Sequence, residues 1–104
     1  MLQQITSNVY RWTELHGAAR NEPYDWNSYI VHLPEANRLV LVDPLPLSSN
    51  EIRAIESIVK PTDILLTNSW HLREAERYRQ KWGCNVYLNR TGVDEAEGPI
   101  DATL

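Results

Sequence analysis

Hydrophobic and polar positions along the 104-residue chain change period several times, and each change marks an element. Gln3 to Trp12 mixes polar positions with Ile5, Val9, Tyr10 and Trp12, a pattern for one or two short strands turning at Ser7 and Asn8. Glu14 to Asp25 holds Gly17, Pro23 and many polar groups and reads as a loop. Trp26 to Leu33 alternates, with Trp26, Ser28, Ile30 and His32 on one face and Asn27, Tyr29, Val31 and Leu33 on the other. Pro34 to Asn37 predicts a turn, and Leu39 to Val42 is apolar throughout, so the pair predicts an antiparallel hairpin with a central second arm that ends at Asp43 and Pro44.

The period then becomes helical. Ser48, Ser49 and Asn50 are all good N-cap types, and Ile52, Ile55, Ile58 and Val59 follow at helical spacing, with Pro61 closing the helix. Ile64 to Leu66 is a short run of the length expected for a strand covered on both faces. Thr67, Asn68 and Ser69 break it, and Leu72, Ala75, Tyr78 and Trp82 line one face of a second helix that Gly83 ends. Asn85 to Leu88 predicts another strand, whereas 91–104 is acidic, rich in small residues and without period: a poorly structured tail with a short strand near Ile100 at most. Strand, helix, strand, helix, strand makes two successive βαβ crossovers and therefore a parallel stretch of sheet. The fold class is α/β, a mixed sheet with antiparallel strands first, in one domain spanning 1–104.

Composition narrows the function. A net charge of −4 and a pI near 5.3, with ten scattered Lys and Arg, argue against nucleic acid or an anionic membrane as partner. No apolar run approaches a membrane span, and the N-terminus has no basic segment followed by an apolar core, so the expectation is a cytoplasmic chain. Cys84 is the one cysteine, which excludes an intrachain disulfide and a cysteine-rich zinc site; at a strand start it reads as a small buried filler. Asn89 to Thr91 spells a glycosylation sequon of the kind that occurs by chance. Four Trp and five Tyr with no Phe suit half-buried surfaces, and a small core uses such rings equally well.

Candidate chemistry gathers where strands end, because loops there vary without disturbing the sheet. Asp43 ends one apolar strand, Asn68 and Ser69 end its parallel neighbour, and His71 opens the following helix. An Asp and a His on one rim suit an acid/base pair or half a metal site. Against this, an Asp before Pro ordinarily accepts hydrogen bonds from loop amides, and His71 is an ordinary helix-start residue. His16 and His32 show no ligand spacing. Arg73, Arg77 and Lys81, interleaved with Glu74 and Glu76, describe a solvated helix face laced with ion pairs. No Gly-rich phosphate loop, Gly-x-Ser-x-Gly turn or reactive-cysteine context is present.

The order of elements, VDPL at Val42 to Leu45, and LLTNSWHLREAERY at Leu65 to Tyr78 resemble the N-terminal half of the metallo-β-lactamase superfamily over about Val9 to Leu88. In that family a strand ends in Asp-Pro, a helix follows, and the next strand ends in Thr-His-x-His-x-Asp-His. Laid on without gaps, Thr67 matches the family Thr and Asp43 the family Asp, which there supports the loops around the site. The four ligand positions are held by Asn68, Trp70, Leu72 and Arg73, and His71 is one place out of register. This is similar to a divergent hydrolase-like branch that lacks the ligands.

The resemblance implies half of an αββα sandwich, a degenerate metal site, no bound cofactor, and a non-catalytic binding or structural module. It also implies an uncovered sheet face through which two copies pair as a homodimer. An alternative is a metal-dependent hydrolase, using zinc, whose site is completed by a second half or subunit and includes Asp43, Asn68 and His71. A third is an unrelated doubly wound domain holding a small-molecule ligand at its strand ends.

Overall fold

The computed structural model describes residues 2–14, 26–67, 74–88 and 102–103. They form a seven-stranded mixed sheet in sequential order: β1 (Gln3–Thr6), β2 (Val9–Glu14), β3 (Trp26–Leu33), β4 (Arg38–Val42), β5 (Asp63–Leu66), β6 (Asn85–Leu88) and β7 (Ala102–Thr103). The first three pairings are antiparallel and the last three parallel. Helix α1 (Ser49–Glu56) joins β4 to β5, and α2 (Ala75–Trp82) lies between β5 and β6. Both crossovers are therefore as the periodicity predicts. The short strand expected near Ile100 lies two residues further on, where Ala102 and Thr103 pair in parallel with Tyr87 and Leu88.

Local chemistry explains the boundaries. Between β3 and β4, Pro34–Ala36 forms one 3-10 turn, and Asn37, at φ 54°, supplies the left-handed residue that reverses the chain. Of the three cap types before α1, Ser48 is the one used. Its hydroxyl accepts from the Glu51 amide at 3.2 Å while the Glu51 carboxylate accepts from the Ser48 amide at 2.9 Å, a reciprocal pair available only to the residue three before a Glu.

Helix α1 stops earlier than its apolar spacing suggests. At Ser57 the last turn tightens, with the Ile58 amide on the Ile55 carbonyl, so Ile58 and Val59 pack on the core from outside the helix. Helix α2 ends where expected, at Gly83 with φ 70° and its amide on the Arg79 carbonyl at 2.8 Å. Its expected beginning at Leu72 lies outside the described residues.

Register sorts the side chains onto two faces. Trp12, Ser28, Ile30, Leu39, Leu41, Ile64, Leu66, Val86 and Leu88 share one face, and Ile55, Tyr78 and Trp82 from the helices complete the core there. Both helices thus lie on one side of the sheet. Tyr78 and Trp82 stack at 5.2 Å, and the Trp82 indole donates to Glu56 at 3.0 Å, tying the two helices together. The expectation that Ile64 to Leu66 is covered on both faces is corrected: Ile64 and Leu66 are buried, but Leu65 points to the opposite face and is only half-buried. A strand flanked by helices on one side alone has no second layer within the described residues.

Candidate functional site

The site begins with the turn that leaves β4. Asp43 is buried and has φ 49°, a left-handed conformation that Asp tolerates better than most residues. Its amide still donates to the Leu65 carbonyl at 3.0 Å, so the ladder to β5 runs one residue past the strand. The carboxylate then reaches across to the end of β5. Oδ1 accepts from the Thr67 amide at 2.8 Å, and Oδ2 from the Thr67 hydroxyl at 2.7 Å. Two charge-assisted bonds join the ends of adjacent parallel strands and hold the corner where β5 turns toward α2.

The segment after Asp43 is clamped from several elements. Ser28, fully buried on β3, donates to the Asp43 carbonyl and accepts from the Leu45 amide at 3.0 Å. The Leu45 carbonyl accepts twice, from the Trp12 indole at 3.3 Å and the Tyr78 hydroxyl at 2.9 Å. The Glu74 amide, just before α2, donates to the Pro44 carbonyl at 3.2 Å. An irregular buried segment cannot leave these groups unpaired without a cost of about 1–3 kcal/mol each. The large rings with polar tips, read as core from composition, are core here and also serve this loop.

Burial in this environment, with a smaller contribution from the Glu74 carboxylate, pushes the Tyr78 hydroxyl up to about 12. Burial likewise pushes the Cys84 thiol up to about 11, with Asp63 adding to it; Sγ lies 3.4 Å from the Pro61 carbonyl. Cys84 is thus the inert filler its position suggests.

Of the sequence candidates, Asp43 stands at the rim as expected, engaged by Thr67. Asn68 and His71, with His16, lie outside the described residues. His32 pairs with Leu39 at the opposite end of β4 and lines a shallow depression of about 370 Å³ with Asn8, Pro34 and Glu35. Leu39 and Asp43 are four residues apart, about 13 Å along a strand, so His32 and Asp43 belong to different ends of the sheet. Among the described residues no group of three or more His, Cys, Asp or Glu is placed to hold a metal ion.

On the expected ion-paired face of α2, Arg77 pairs with Glu74 at 3.6 Å, and Lys81 lies over the Trp82 ring at 5.8 Å. Ser28, with Trp12 and Tyr78, is what the sequence reading missed: Ser28 shows in the alternation as one inward polar residue among apolar ones, a usable but unspecific signal.

Comparison with known proteins agrees with this arrangement. The family model for the metallo-beta-lactamase superfamily matches residues 2–96. No curated protein matches the chain. Among solved structures, the chain is similar to the DIM-1 metallo-β-lactamase exposed to ceftazidime, with a TM-score of 0.65 and 14% identity, covering 100% of this chain and 51% of that one. It is also similar to a metallo-β-lactamase from Erythrobacter litoralis, with a TM-score of 0.63 and 13% identity, covering 99% and 44%. The chain therefore spans about half the length of these structures, and at such identities the likeness is one of fold. No helix among the described residues is long and apolar enough to cross a membrane. A sheet of antiparallel then parallel strands, an Asp at the end of β4 fastened to a Thr at the end of β5, and a family match over most of its length together place this chain in the metallo-β-lactamase superfamily.

Proposed function

We infer that this chain is a metallo-β-lactamase-like domain with a degenerate metal site, working in the cytoplasm as a non-catalytic binding or structural module. The observation that carries the reading is the donor set. Counting from Thr67, the four positions of the superfamily ligand motif hold Asn68, Trp70, Leu72 and Arg73. Trp and Leu offer a cation no lone pair, an amide is a weak donor, and Arg brings positive charge to the place of a metal. These residues do not fit zinc.

The rim supports the same reading. Both carboxylate oxygens of Asp43 accept hydrogen bonds from Thr67, so the chemistry seen at this corner is that of a strut between strand ends.

Metal content tests the inference. Protein purified without a histidine tag is expected to carry no stoichiometric zinc by elemental analysis and to give no saturable heat on zinc titration. One or more zinc ions bound per chain at micromolar affinity, and lost on His71→Ala, would favour the alternative: a metal-dependent hydrolase whose site is completed by a second half or subunit and draws on Asp43, Asn68 and His71.

A further inference from the structure

We draw no further inference here: the strongest candidate, the helix-free face of the sheet with its apolar rows of Tyr29, Val42, Leu65 and Tyr87 and of Val31 and Val40, carries nothing, because nothing in the structure shows what covers it.

Discussion

The carboxylate of Asp43 accepts both the amide and the hydroxyl of Thr67, at 2.8 and 2.7 Å, and so fastens the end of β4 to the end of β5. Asp43→Asn keeps a residue that tolerates φ 49° but removes the charge and turns one of the two acceptor oxygens into an NH2 donor, so it is expected to cost about 1 kcal/mol. Asp43→Ala leaves both Thr67 donors without this acceptor and adds backbone strain, for about 3 kcal/mol. Urea unfolding of these variants and of Thr67→Val in a double-mutant cycle measures the coupling; additive losses would show that the two residues do not act together.

Ser28 is expected to matter more than its size suggests. Ser28→Ala removes the acceptor of the buried Leu45 amide and the donor to the Asp43 carbonyl, costing about 2 kcal/mol. Thr13→Ala on the neighbouring strand, at a partly exposed position, is expected to cost well under 1 kcal/mol in the same denaturation assay.

Stability should fall at alkaline pH. The Tyr78 hydroxyl is raised from 10.0 to about 12 in the fold, so between those values the unfolded chain loses its proton first and is favoured. Two units correspond to about 2–3 kcal/mol, fully present below pH 10 and lost as pH rises through about 12. Cys84, raised from 9.0 to about 11, adds a loss that begins lower. Tyr78→Phe is expected to be less stable at neutral pH, having given up its bond to the Leu45 carbonyl, yet to show a shallower decline between pH 10 and 12.

Cys84 should be chemically silent in the folded protein. Its burial and raised proton affinity predict thiol labelling at pH 8 at least about a hundredfold slower than in urea, limited by opening of the structure. Rapid native labelling would show that the start of β6 opens locally.

Elements whose cause is local were legible in the sequence. Alternation at Trp26 to Leu33, the unbroken apolar run of β4, the helical spacing of Ala75, Tyr78 and Trp82, and Gly83 as terminator all appear where the pattern puts them, because period and cap chemistry act over a few neighbouring residues. The end of α1 at Ser57 was not legible. Its apolar spacing continues through Val59, but those side chains reach the core from a tightened turn that only the packing against the sheet defines. Nor was the exact place of β7, expected near Ile100, whose two residues have no pattern of their own and become a strand by pairing with β6.

By itself the sequence determined the order of strands and helices and the negative net charge, since each follows from residue type and spacing alone. Tertiary structure decided what Asp43 does, because a carboxylate takes its role from the donors around it, and Thr67 is 24 residues away in the chain. It also decided that Ser28, Trp12 and Tyr78 converge on the segment after β4, and that one face of the sheet carries both helices while the other keeps its apolar rows. Those are relationships between distant residues, and they exist only once β4 and β5 lie side by side.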